Sequence, residues 1–365
     1  MRIKDNFRVM NNSEVLHEPL SAANNVRFRI NAEFLHQCEF NCAGCFVNRR
    51  ASNYDTRQLD ILLDTVNLFR VNDMTFDEII LGPTDFFAAS NTLDLLKEPL
   101  FRKVFENGDV VLTILTTLQS SDDQILDHIV AVNDAFPHPN QEIEVLVVFD
   151  LRRMFEEDEA YIAELHHKLR LLDRFVPAVD YAFQMNIQDP SKVVGDFTLP
   201  KLTSFVRERF DTIVEFNPSF LRTGKEKIVD STLDAWNGLL EEQITDDNKD
   251  DITFTMSNAY HAGFNEITYN FHDGDLYMCP FIYENVFDRD EAFKVNKTGD
   301  YYTWADIIYH DGWAKLEQFS YASETDECSA CPYLMSCSAK HVLFYMKQHG
   351  IKRCMISKPT VELYT

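Results

Sequence analysis

The chain has 365 residues, 45% of them hydrophobic, and its 34 basic and 59 acidic residues give a net charge of −25. Length and apolar content suit a domain of roughly 200 to 250 residues with a smaller second module; the charge repels phosphate backbones and anionic lipid, so neither a nucleic acid nor a membrane is expected as a partner, and a basic peptide or basic partner surface is its complement. The chain does not open on an apolar run flanked by basic residues, it has no stretch of about 18 apolar residues, and its eight cysteines lack a secretion signal, so a reducing cytoplasm is expected, where thiols bind metal or stay free.

Residues 1–25 are polar and unpatterned, an N-terminal arm. Val26-Arg27-Phe28-Arg29-Ile30 alternates apolar and basic residues and runs into Phe34-Leu35, which predicts a first strand. Directly after it come Cys38, Cys42 and Cys45, three cysteines within eight positions. Asp55 is placed to cap a helix whose apolar positions Leu59, Leu62, Leu63, Val66 and Phe69 follow helical spacing. A second strand over 76–81 ends in Gly82-Pro83-Thr84-Asp85. Helices are predicted over 92–106, 122–136, 156–175 and 199–210, and strands over 110–118, 143–151, 181–187 and 212–216. Six strands, each followed by a helix, over residues 26–245 predict a parallel sheet with helices outside it, an α/β fold. Eight such units would close a full barrel with its active site at the strand C-termini; six make a partial one, a (β/α)6 TIM-like barrel. The cysteine loop then lies at its C-terminal mouth, where Asn186 and the segment Asn217-Pro218-Ser219-Phe220-Leu221-Arg222 also point by periodicity.

An acidic run over 241–251 reads as a solvated linker. It sets the boundary between a domain over 26–245 and a second over 246–365, expected to be a smaller α+β module. Within the second, residues 267–279 read as a hairpin of two aromatic-rich strands around Asp273-Gly274. It leads into Cys279, and Cys328, Cys331, Cys337 and Cys354 follow.

Three thiolates from one short loop can hold three corners of an iron-sulfur cluster and leave the fourth iron without a protein ligand. Half of a zinc site and structural cysteines are the other readings of the loop. For the four later cysteines, spacing alone does not choose between zinc and a second cluster. Cys279 is open to three readings: a residue packed in the hairpin, a replacement cluster ligand, or a reactive thiol near a substrate.

The C-x3-C-x2-C spacing after the first strand resembles that of radical S-adenosylmethionine (SAM) enzymes. The resemblance implies a 4Fe-4S cluster on Cys38, Cys42 and Cys45, with SAM on its open iron, cleaved reductively to a 5'-deoxyadenosyl radical that takes a hydrogen atom from the substrate. It also implies reduced flavodoxin or ferredoxin as electron donor. Where the family has an aromatic residue before the third cysteine this chain has Gly44, and the adenine contact falls to Phe46. Gly82-Pro83-Thr84-Asp85 stands where the family has a Gly-Gly-Glu-type segment for the SAM amino group, and Arg152 stands near the family's position for a group beside the SAM carboxylate. Asn186 is a further candidate for SAM or substrate. The C-terminal cysteines resemble a truncated SPASM-type module. It has the Gly-Asp-hydrophobic-x-x-Cys hairpin, the C-x2-C-x5-C run and the last cysteine, but His341 lies near the place of the next one. This implies one auxiliary 4Fe-4S cluster, on Cys328, Cys331, Cys337 and Cys354, which would bind substrate or accept its electron.

Family members with such modules mostly crosslink or oxidise peptide and protein side chains, and that is the function expected here. Many carry an N-terminal leader-binding domain, which 25 residues cannot form, so a separate peptide-recognition protein or the C-terminal module would serve. The alternative is a dehydrogenase of a small molecule such as an aminocyclitol or sugar alcohol. A non-catalytic electron carrier is the third reading, and the open iron argues against it.

Overall fold

A computed structural model of the chain describes residues 27–36, 40, 54–150, 153–154, 156, 158–186, 198–217, 230–247, 252–254, 266–277 and 294–308. Their elements run β1 (Arg27–Glu33), α1 (Thr56–Val71), β2 (Thr75–Gly82), α2 (Thr92–Lys97), α3 (Pro99–Val104), β3 (Val111–Thr116), α4 (Asp122–Ala135), β4 (Glu142–Val148), α5 (Glu159–Leu172), β5 (Ala178–Asn186), α6 (Leu199–Phe210), β6 (Val214–Asn217), α7 (Asp230–Gln243), β7 (Ile252–Phe254), β8 (Glu266–His272), β9 (Asp275–Tyr277) and α8 (Trp304–Ile308). All described strands belong to one sheet in the order β7-β6-β5-β4-β3-β2-β1-β8-β9. Pairing is parallel throughout except between β8 and β9. Among the described strands β7 and β9 are the outermost. No described helix is long and apolar enough to cross a membrane.

The alternation of strand and helix predicted over 26–245 is present, with two corrections. The described sheet has two more parallel strands than the six expected. β7, at three residues, is too short to show a period, and β8 has the pattern of a hairpin arm yet also pairs parallel with β1. The helix predicted over 92–106 is broken at Glu98, which is extended (φ −68°, ψ 121°) because Pro99 disfavours helical backbone in the residue before it and then starts α3.

Local chemistry fixes the remaining boundaries. Asp55 accepts from the Gln58 backbone N–H while the Gln58 side chain accepts from that of Asp55, a capping box that starts α1 where the sequence placed it. Thr198 caps α6, and Asp211 ends it in the left-handed region at φ 52°. The hairpin turn has positive φ at both central residues, 50° at Asp273 and 78° at Gly274, as a two-residue turn matched to strand twist requires. Tyr302 fastens that turn: its hydroxyl donates to Gly274 O and accepts from Leu276 N–H.

The outer face of the sheet is dry. Phe28, Ile30 and Ala32 of β1, Ile79 and Leu81 of β2, and Val145 and Val147 of β4 are all buried. Phe28 meets Phe69 of α1 at 4.7 Å between ring centroids, Phe69 meets Tyr269 of β8 at 6.1 Å and Trp304 of α8 at 5.7 Å. One aromatic cluster thus ties the first strand to the first helix and to a strand and a helix more than 200 residues later. The Tyr269 hydroxyl lies inside this cluster, fully buried and without a hydrogen-bond partner, and burial pushes its pKa up. Removing it should cost nothing: Tyr269→Phe is expected to be neutral or to stabilise the fold by about 1 kcal/mol, against a loss of about 3 to 5 kcal/mol for Phe69→Ala. Urea denaturation of the two variants reads both, and a Tyr269→Phe loss above about 1 kcal/mol would show that the hydroxyl has a partner after all.

Candidate active site

In a parallel sheet, residues paired across strands share a face. Register therefore puts Arg29, Asn31 and Glu33 of β1 on the concave face together with Glu78, Ile80 and Gly82 of β2, Thr113 and Leu115 of β3, Glu144 and Leu146 of β4, and Asn270 of β8. This face is polar where the outer one is apolar. Arg29 pairs with Glu78 at 2.7 Å, and Glu78 also accepts from the Thr113 hydroxyl. At the C-terminal end of the strands lies the mouth.

The approach to the cysteine loop is clamped there. Asn91, in the turn before α2, accepts from the His36 N–H at 2.9 Å and donates to Phe34 O at 2.6 Å, so one amide side chain reads the main chain of the segment leaving β1 on both sides of Leu35. Leu35 N–H donates to Gly82 O at 2.9 Å and Ser90 N–H to His36 O at 3.2 Å. The chain is therefore held to residue 36, two positions before Cys38.

Of the residues predicted for SAM, the structure describes Gly82, Pro83, Thr84 and Asp85, and the backbone of Asn186 at the end of β5, paired with Asn217 of β6. Phe46, Arg152 and all the cysteines, Cys38, Cys42, Cys45, Cys279, Cys328, Cys331, Cys337 and Cys354, lie outside the described residues, as do positions 218–222 and 341. Gly82 to Asp85 follow β2 at the mouth, beside the clamped segment. Asp85 is buried and committed within the protein. Its Oδ1 accepts from Phe87 N–H at 3.0 Å and Ala88 N–H at 3.1 Å. Its Oδ2 accepts from the Thr117 hydroxyl at 2.9 Å and from the Thr117 N–H, and the Thr116 hydroxyl donates from 3.2 Å. A carboxylate offers about four lone-pair directions, and five donors fill them. Burial pushes the Asp85 carboxyl pKa up, and the hydrogen bonds oppose the shift. Asp85 braces the end of β3 to the turn after β2. Thr84 is different: its hydroxyl is buried with no partner, an unused donor and acceptor at the mouth.

A second polar set stands on the other side of β1. Glu33 accepts from Asn270 Nδ2 at 2.7 Å and from His272 Nδ1 at 2.6 Å, and His272 Nε2 lies 2.8 Å from the Asp273 carboxylate. His36 is buried beside them; burial lowers its pKa, Asp273 opposes that shift and His272 adds to it. Sequence reasoning missed Glu33, Asn91, Asn270 and His272. Glu33, Asn270 and His272 could have been found by carrying the strict alternation of β1 and β8 to the strand ends, whereas nothing in sequence marks Asn91.

Comparison with solved structures supports the architecture. The chain is similar to Streptococcus suis SuiB bound to the precursor peptide SuiA, with a TM-score of 0.54 at 12% identity over 90% of this chain and 75% of that one. It is also similar to anSMEcpe with bound AdoMet and a Cp18Cys peptide, at 0.54 and 11% identity over 88% and 97% of the two chains. No family model matches the chain, and no curated protein matches it. At this identity the likeness shows the fold alone: an α/β partial barrel built on a largely parallel sheet.

The Asn91 clamp generates a measurable expectation. Asn91→Leu removes both side-chain hydrogen bonds, and freeing the buried His36 N–H and Phe34 carbonyl should cost about 1 to 3 kcal/mol. Amide hydrogen exchange at His36 should quicken while Leu35, held by Gly82, changes less. Equal protection of His36 in variant and wild type would remove the clamp from the account.

Proposed function

We propose that this chain is a radical SAM enzyme that modifies a peptide side chain, by crosslinking or oxidation. What carries the reading is the conjunction of a parallel-stranded partial barrel with a C-x3-C-x2-C sequence that begins two residues beyond the clamped segment after β1. Peptide chemistry draws support from the two similar structures, one bound to a precursor peptide and the other to AdoMet and a peptide. Cys38, Cys42 and Cys45 would hold a 4Fe-4S cluster with an open iron, and Cys328, Cys331, Cys337 and Cys354 an auxiliary one within a module over 246–365. Bound SAM and the first cluster supply the radical, with reduced flavodoxin or ferredoxin as electron source.

The chain's own residues then have distinct tasks. The partnerless Thr84 hydroxyl fits a polar group of SAM, and with the carbonyls of the Gly82-Pro83-Thr84 segment it takes the amino group. Asp85, its lone pairs filled, holds that segment in place instead of meeting the ligand. Phe46 would contact the adenine, with Arg152 and Asn186 further along the mouth.

Anaerobically reconstituted protein with dithionite should cleave SAM to 5'-deoxyadenosine, and Cys42→Ala should abolish it; cleavage retained in Cys42→Ala would sink the assignment. Iron should reach about eight atoms per chain, whereas about four would leave the C-terminal cysteines without a cluster. Thr84→Val should weaken SAM binding roughly tenfold, the loss of one hydrogen bond to a charged group, while Asp85→Asn acts on folding stability more than on SAM affinity. Calorimetric titration of SAM against the two variants separates these outcomes.

A further inference from the structure

The turn that carries Gly82 to Asp85 leans on α4 at His128. The turn itself is well held: Phe86 N–H donates to Leu115 O at 2.8 Å, the Thr92 hydroxyl donates to Phe86 O at 2.8 Å, and Asp85 takes the Phe87 and Ala88 N–H groups. Phe86 and Phe87 are fully buried, and their rings meet the His128 imidazole edge-on, at 5.8 and 5.6 Å between centroids.

His128 is buried too, and its two ring nitrogens are placed unequally. Nδ1 lies 2.7 Å from Gln124 O, one turn back on α4. A carbonyl only accepts, so Nδ1 carries the hydrogen of the neutral ring and Nε2 is left with a bare lone pair. Nε2 is buried and has no hydrogen-bond partner among the described residues. A second proton would therefore create a buried N–H with nothing to accept it, on a ring that has also become charged.

The charged groups around the ring do not compensate. Burial lowers its pKa; the Gln124 carbonyl, Asp127 on its own helix and Asp85 across the turn oppose that shift without reversing it. On α2, which packs against α4, Asp94 and Lys97 are exposed and lie 3.6 Å apart. On α5, His167 and Lys168 are engaged with Asp122, six residues before His128. The packed turn thus binds this proton less tightly than an open one. Its advantage is present above the ordinary histidine value of about 6.5 and is lost as pH falls below it.

We propose that His128 is a positioning residue that makes the SAM segment sensitive to acid: the neutral ring packs against Phe86 and Phe87 and keeps Thr84 presented at the mouth, whereas the protonated ring drives the turn off α4 and SAM affinity falls. This rests on the reading of Gly82 to Asp85 as the SAM segment and adds its regulation. Reciprocity follows: bound SAM holds the turn packed and so opposes protonation of His128.

The test reads SAM binding against pH in the full reconstituted chain, without reductant, so that no cleavage occurs. From about pH 7.5 to about pH 5.5 the wild-type chain should lose at least about threefold more SAM affinity than His128→Phe, whose ring fills the same place and takes no proton. The SAM amino group titrates in both proteins, and the comparison removes it. Hydrogen exchange of the Phe87 and Ala88 amides, followed by mass spectrometry at each pH, should show wild type losing protection relative to the variant as pH falls. Added SAM should move that loss to lower pH. A SAM profile or an exchange profile that His128→Phe leaves unchanged overturns the proposal; where His128→Phe does not fold, failure of SAM to move the exchange transition of the wild-type chain overturns it instead. Absence of SAM binding at every pH strikes the SAM reading of the turn and the proposal with it, whereas SAM binding whose acid sensitivity does not depend on His128 strikes only this inference.

Discussion

β1 is hydrogen-bonded along both edges, to β2 on one side and β8 on the other, and the mouth of this protein depends on that double pairing. A strand fixed twice cannot slide or turn over without exposing Phe28, Ile30 and Ala32 to the concave face and burying Arg29, Asn31 and Glu33 among aromatic rings. The register is therefore locked by two contrasting surfaces. The segment that leaves β1 inherits that rigidity, and Asn91 extends it by three residues toward the cysteines. A metal-binding loop needs its first ligand delivered in a fixed direction, and here the direction comes from backbone pairing and one amide side chain.

The concave surface shows what this partial barrel does with polar groups. In a closed barrel the interior is filled by side chains in layers. Here the concave face of the described strands is lined by acids, amides and an arginine. Their hydrogen bonds run between strands, as in Arg29 to Glu78 to Thr113 across β1, β2 and β3. These links hold the polar face in one arrangement before any ligand arrives. The affinity of such a site is then not spent on ordering it.

Much of this was legible in the sequence, and the misses have physical causes. The α1 start at Asp55, the caps and the positions of β2 to β6 follow from local chemistry: a capping box, a helical apolar stripe, apolar runs bounded by turn residues. The break at Glu98 was also local, readable from Pro99, and was passed over because the apolar spacing continues through it. Pairing of β8 with β1 was not readable, because no residue in either strand names a partner more than 230 positions away. Asp85 shows the limit most clearly. Its sequence context marks an acid at the mouth, but whether a carboxylate meets a ligand or braces a turn is decided by Thr116 and Thr117, at the end of β3 and just beyond it. The C-terminal cysteines, by contrast, remain a matter of sequence pattern alone.

The pairing of β1 with β8 also has a consequence in time. The Glu33–Asn270 bond closes a span of 237 residues, so at a synthesis rate of about 5 to 20 residues per second the second edge of β1 waits roughly 12 to 50 seconds for its partner on the ribosome. An unpaired strand edge invites pairing with other chains, and charged residues on it discourage that. Arg27 and Arg29 are thus well placed before the fold exists, as guards of a nascent edge. The same chemistry that later lines the concave face keeps the first strand solitary until the eighth has been made.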